Sequence, residues 1–143
     1  SEKVAVIYYS ATGNTEAMAE AYLIGAKSVV EDVLLAPVAD VDPETIGKEY
    51  SHIILGCSAW GVEVIEEEQM KPFCEKLKPF LKGKIMGIFD HADGAGALAQ
   101  FWYNELHFAG AVFPAQPLLA YGYPDKESLK KCEDLGKKVA GTR

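Results

Sequence analysis

Six consecutive residues, Ser10-Ala11-Thr12-Gly13-Asn14-Thr15, place three hydroxyls and one carboxamide around a glycine. Such a set suits an anion that needs several donors converging on its oxygens. Ser10, Thr12 and Thr15 offer O–H groups, Asn14 offers an amide, and Gly13 lets the main chain turn sharply and present N–H groups. A helix starting at Asn14 or Thr15 adds its first unpaired N–H groups and the positive end of its dipole. The loop holds no Lys or Arg, which excludes a Walker A loop with its Gly-Lys-Ser/Thr ending. The chemistry indicated is a phosphate held by neutral donors. A capped helix after a tight turn would need only one of these side chains.

Donors of this kind need a rigid frame, and the rest of the chain supplies its signals. Lys3 to Tyr9 is short, apolar and β-branched, as a strand buried on both faces should be. From Asn14 or Thr15 to about Lys27 a helix is expected, with Met18, Ala21, Tyr22 and Ile24-Gly25 at helical spacing. Asp32 to Ala36 reads as a second strand ended by Pro37, Asp42-Pro43-Glu44 as a helix start or turn, and His52 to Cys57 as a third strand. After a loop from Ser58 to about Glu63, a helix ending near Leu81 carries Phe73, Leu77 and Phe80 on one stripe. Lys84 to Phe89 is a fourth strand and Asp90 to Gly96 a small, polar loop. Leu98 to Phe108 is a helix rich in aromatics, Phe101, Trp102 and Tyr103. Ala111 to Tyr121 is a fifth strand in which Pro114 and Pro117 predict an edge position or a broken ladder. Pro124-Asp125 starts a last helix, with Asp125 as cap or first-turn acid.

Five alternations of strand and helix predict an α/β fold in one domain over residues 1–143: an open, doubly wound, five-stranded parallel sheet with helices on both faces. Such sheets bind ligands beyond the carboxyl ends of their strands, at the switch point in strand order. Three loops are expected there, Ser10–Thr15, Ser58–Glu63 and Asp90–Gly96.

Composition narrows the function classes. A formal charge of −7 argues against nucleic acid and suits a basic protein partner. No apolar run approaches a membrane span, and the start, Ser1-Glu2-Lys3, lacks the layout of a signal peptide. Cys57, Cys74 and Cys132 form no CxxC pair and no even set, which suggests free thiols in a reducing cytoplasm. Cys57 ends a buried strand and reads as a core residue without a neighbouring base. His91 and Asp93 lack convergent partners for a metal, with His52 and His107 on other elements. Gly94-Ala95-Gly96-Ala97-Leu98-Ala99 matches G-x-G-x-x-A, yet it follows the fourth strand and no acid lies about 20 residues on to hold a ribose. No Ser/His/acid arrangement has usable spacing.

Ser10-Ala11-Thr12-Gly13-Asn14-Thr15 resembles the FMN phosphate loop of flavodoxins, T/S-x-T-G-x-T, and Gly56-Cys57-Ser58-Ala59-Trp60-Gly61 resembles their second flavin loop. The order of elements is similar to the short-chain members over essentially the whole chain. The resemblance implies a flavodoxin-like fold and non-covalently bound FMN. Ser10, Thr12, Gly13, Asn14 and Thr15, with Ala11 between them, would hold the phosphate, and Ser58 would add a hydroxyl beside Ala59. Trp60 would cover one face of the isoalloxazine; as a residue it also reads as an aromatic packed under its own loop. By the same resemblance the Gly61 peptide flips on one-electron reduction, its carbonyl accepting from the protonated N5 and stabilising the neutral semiquinone. Glu63 resembles the acid that accepts from N3–H; as a residue it reads almost equally well as a solvated helix-start carboxylate. Glu63, Glu66, Glu67 and Glu68 form an acidic run that reads by itself as a solvated face; beside the flavin it would lower the potential and steer basic redox partners.

The third loop departs from the family. Where flavodoxins place a tyrosine or tryptophan against the outer flavin face, Asp90, His91 and Ala92 lead into Asp93-Gly94-Ala95-Gly96 without an aromatic. Either His91 stacks or hydrogen-bonds there, or Phe101, Trp102 or Tyr103 reaches over from a role in the core, or the face stays open. The expected function is a monomeric, low-potential one-electron carrier between redox partner proteins with basic docking surfaces. The alternative is a small FMN-dependent quinone or flavin reductase using an uncovered flavin face. A third is a domain that kept the fold and lost the cofactor.

Overall fold

A strand enclosed on both faces must be apolar throughout, and in β1 (Lys3–Tyr9) Val4, Ala5, Val6 and Ile7 are wholly buried. The computed structural model describes residues 2–10, 13–58, 69–91 and 97–143. The elements that follow are α1 (Asn14–Lys27), β2 (Asp32–Pro37), a 3-10 turn (Val38–Asp40), α2 (Pro43–Glu49), β3 (His52–Cys57) and α3 (Met70–Leu77) with a 3-10 extension (Lys78–Phe80). Then come β4 (Ile85–His91), α4 (Ala97–Phe108), β5 (Leu118–Ala120) and α5 (Lys126–Gly141). The five strands are parallel in the order β2-β1-β3-β4-β5, the expected doubly wound sheet.

Alternate residues of each strand feed two cores. On one face Ala5, Ile7, Ile53, Leu55, Met86 and Ile88 meet Phe73 and Leu77 of α3 and Trp102 and Leu106 of α4. On the other, Val4, Val6, Ile54 and Phe89 meet Met18 and Tyr22 of α1 and Cys132 and Val139 of α5. There the Phe89 ring stacks on Tyr22 at 4.5 Å. The two helices of this layer approach to backbone contact: a Cβ on Gly25 would lie 1.9 Å from the Glu133 carbonyl oxygen, and one on Gly136 2.2 Å from that of Tyr22.

Four sequence expectations are corrected. Asp90 and His91 are not loop residues but the last two of β4, because β5 offers them partners: Asp90 lies opposite Leu119 and His91 opposite Ala120. The fifth strand is much shorter than Ala111–Tyr121. A lone bridge joins Ile85 to Val112, the ladder fails across Pro114 and Pro117, and pairing resumes at Leu118 on the sheet edge. Ile24 faces solvent, 57% exposed, while Gly25 takes the contact with α5. Phe101 is 49% exposed, whereas its neighbour Trp102 is buried. Asp125 caps α5 as expected, accepting from Ser128 N–H at 2.8 Å.

The three cysteines are buried and form no disulfide among the described residues, and burial pushes the Cys74 thiol far up and Cys132 up to about 12. A thiol kept neutral by the fold contributes stability in full below its ordinary value near 9.0. That contribution is lost as pH rises toward the folded value. Unfolding in urea should therefore become easier above about pH 9, and all three thiols should resist alkylation at pH 8 until urea is added. Gly136→Ala should lower stability by about 2 kcal/mol through overpacking, against the helix-propensity gain of about 1 kcal/mol that alanine brings. The urea midpoint reads both.

Candidate functional site

Register sets the geometry of the carboxyl edge. Tyr9 pairs with Cys57 and Cys57 with Asp90, so β1, β3 and β4 end nearly level. The Ser58 N–H donates to the Tyr9 carbonyl at 3.3 Å, tying the start of the second loop to the end of the first strand. β2 lies on one side of β1 and β3 on the other, so strand order reverses at β1. A crevice for a ligand belongs at this switch point.

The first loop is built to leave a helix end open. Gly13 stands at φ 92°, where a side chain would be strained although nothing crowds the position. Ser10 Oγ accepts from Gly13 N–H at 2.9 Å and fixes the turn, leaving the Ser10 hydroxyl proton for another acceptor. α1 begins at the next residue, and its Gly13 cap has no side chain for the N–H groups of the first turn. α2 and α5 differ: Asp42 accepts from Thr45 N–H at 2.9 Å and Asp125 caps α5. Within the same turn of α1, Thr15 is wholly buried and its Oγ1 has no hydrogen-bond partner among the described residues. Leaving such a hydroxyl unpaired costs about 1–3 kcal/mol. An anion with acceptor oxygens at this helix end would satisfy it together with the open N–H groups.

Charge near the helix start is managed by Tyr8 and Glu16. Burial chiefly holds the Tyr8 phenol above its ordinary pKa; a hydrogen bond with Glu16 and the charges of Glu16, Glu20 and Asp40 add to this. The first-turn acid of α1 is thus engaged by the neighbouring phenol.

At the end of β4, Asp90 is wholly buried. His91 takes a hydrogen-bonding role of a different kind from stacking: its Nε2–H donates to the Gly122 carbonyl in the turn after β5. Trp102 is buried, and Tyr103 packs against Phe113 with ring centroids 4.5 Å apart, so both serve the core. Phe101 lies edge-on to Trp102 at 5.5 Å. The structure therefore brings Ser10, Gly13, Asn14, Thr15, Ser58, Asp90 and His91 to one sheet edge. Ala11, Thr12, Ala59, Trp60, Gly61, Glu63 and Ala92 lie outside the described residues. Among the described residues no His, Cys, Asp and Glu group could hold a metal, and no helix is long and apolar enough to cross a membrane. Sequence reasoning missed a fourth loop at this edge, Tyr121-Gly122-Tyr123. Its signal was available, since the loop after a fifth parallel strand opens on the same side.

The profile of the flavodoxin family matches residues 6–136. The chain belongs to the flavodoxin family. A flavodoxin from Clostridium beijerinckii is 35% identical over 136 residues, covering 94% of this chain and 97% of that one. A flavodoxin from Megasphaera elsdenii is 32% identical over 138 residues, covering 96% and 98%. The solution structure of two-electron reduced Megasphaera elsdenii flavodoxin superposes with a TM-score of 0.85 at 31% identity, over 97% of this chain and 99% of that one. Membership makes FMN the cofactor and electron transfer the chemistry, in place of conversion of a substrate.

The residues present fit that cofactor. A buried unpaired hydroxyl, an uncapped helix end and a loop without cations match a phosphate bound by neutral donors. Thr15→Val keeps the side-chain shape and removes the hydroxyl. The apoprotein should be as stable as the parent or more so, since the valine leaves no unpaired polar atom. FMN affinity should fall about tenfold to a hundredfold, and riboflavin affinity should stay unchanged. Titration by flavin fluorescence checks both ligands; an equal loss for the two would detach Thr15 from the phosphate.

Proposed function

We propose that this flavodoxin is a low-potential carrier that passes single electrons between partner proteins. Residues 1–143 work in it as one FMN-binding domain. The observation that carries the site is the buried Thr15 hydroxyl, without a partner among the described residues, in the first turn of a helix whose Gly13 cap has no side chain. Ser10, Thr12, Gly13, Asn14 and Thr15 hold the phosphate, with Ala11 spacing them, and Ser58 adds a hydroxyl from the second loop. Trp60, next to Ala59, packs on one face of the ring and excludes water. The Gly61 carbonyl holds a proton at N5, and Glu63 accepts from N3–H. Asp90, His91 and Ala92 frame the outer side. FMN held there supplies reversible one-electron chemistry.

Charge supports the low potential and the partner class. The net charge is −7, and residues 63–68 hold four glutamates and no base. Negative charge beside the ring disfavours added electrons, and the same surface attracts a basic docking face with an affinity that salt weakens. A monomer in a reducing cytoplasm suits free thiols and an exchange of partners. Stepwise photoreduction of the FMN-loaded protein, followed by visible absorption, should resolve two separate one-electron stages. Reduction in a single two-electron step would overturn the carrier reading and favour chemistry on a small acceptor.

A further inference from the structure

The turn after β5 holds two exposed tyrosines. Tyr121 is 54% exposed and Tyr123 86%. The turn itself is anchored on three sides. Ala120 pairs with His91, so Tyr121 begins one step beyond the end of β4. His91 Nε2–H donates to the Gly122 carbonyl, and Gly122 sits at φ 67°, where glycine is favoured. On the far side Pro124 is buried and Asp125 caps α5. Two large rings are thus displayed in solvent from a fixed backbone, at the edge of the sheet where the phosphate cradle opens.

The sequence that follows His91 in the third loop has only small or acidic side chains, Ala92-Asp93-Gly94-Ala95-Gly96. Trp102 and Tyr103 are committed to the core. We infer that the Tyr121-Gly122-Tyr123 turn supplies the aromatic cover that the third loop lacks, a tyrosine ring packing against the outer side of the FMN isoalloxazine. The inference rests on the proposed placement of the ring between the second and third loops. A phenol ring and the flat, electron-poor isoalloxazine favour offset or edge contact, and burial of both apolar faces adds to it. His91 then has a positioning role: its bond to Gly122 holds the turn at the level of the ring. The contact is to the ring and not to the phosphate, so it should serve FMN and riboflavin alike.

Two measurements on the full chain test this, and both must agree. Nitration with tetranitromethane, mapped by peptide mass spectrometry, should label Tyr121 and Tyr123 readily in the apoprotein. At least one of them should be protected several-fold once FMN is bound. The double variant Tyr121→Ser/Tyr123→Ser should raise the Kd for FMN and for riboflavin equally, by about fivefold to tenfold. Equal labelling with and without FMN, a Kd within twofold of the parent, or a loss confined to FMN would each overturn the inference. Labelling blocked only by a protein partner would make the turn a docking surface instead and overturn it as well. If the double variant does not fold, the labelling of the unaltered chain decides alone. An apoprotein that takes up no FMN overturns the cofactor site itself, and this inference with it.

Discussion

A parallel strand paired on both sides cannot slip by one residue without turning its whole side-chain pattern over, and β1 is held in that way by β2 and β3. The slip would send Val4 and Val6 from the α1/α5 layer into the α3/α4 layer, and Ala5 and Ile7 the other way. Neither packed layer could accept the exchange. This locked register fixes where Tyr9 ends, and with it where Ser10 turns, where Gly13 reverses and where α1 starts. Cys57 and Asp90 follow at the same level, because β3 and β4 continue the register. The cofactor edge is therefore positioned by apolar packing well below it.

On that frame the proposed phosphate cradle would work without cations. Its donors are main-chain N–H groups, hydroxyls and an amide, in a protein whose net charge is −7. A lysine would bind a phosphate more strongly as a point charge, but it would also offset the negative field that the proposed low potential needs. Neutral donors would hold the anion and leave that field in place. The cost would fall on the apoprotein, since the buried Thr15 hydroxyl has no hydrogen-bond partner among the described residues. A site that is incomplete until the ligand arrives is a common place for a fold to give up stability.

The edge formed by β4 and β5 shows a second consequence of topology. β5 is the last strand of the sheet and its ladder is interrupted by Pro114 and Pro117, so only Leu118–Ala120 completes it. That short segment still extends β4 to His91 and brings the Tyr121–Tyr123 turn beside the end of β4. Two segments 31 residues apart in sequence meet through one imidazole and one carbonyl.

The sequence by itself determined the elements and the parallel alternation and marked the proposed phosphate cradle, because these rest on local signals. Apolar runs mark strands buried on both faces, acids mark the starts of α2 and α5, and the donors of Ser10–Thr15 lie within six consecutive residues. It also placed the break in the last strand, since proline removes a ladder donor wherever it stands. Only the tertiary structure decided what depends on partners distant in the chain. Asp90 and His91 look like loop residues by composition, and they became strand because β5 pairs with them. Gly25 and Gly136 look like weak points in helices until α1 and α5 are seen to touch through them. Phe101 and Trp102 are adjacent and both aromatic, yet only Trp102 faces the sheet. Thr15 was legible as a donor, but not as a donor buried and unpaired. That property belongs to the space around the hydroxyl, and packing alone defines that space.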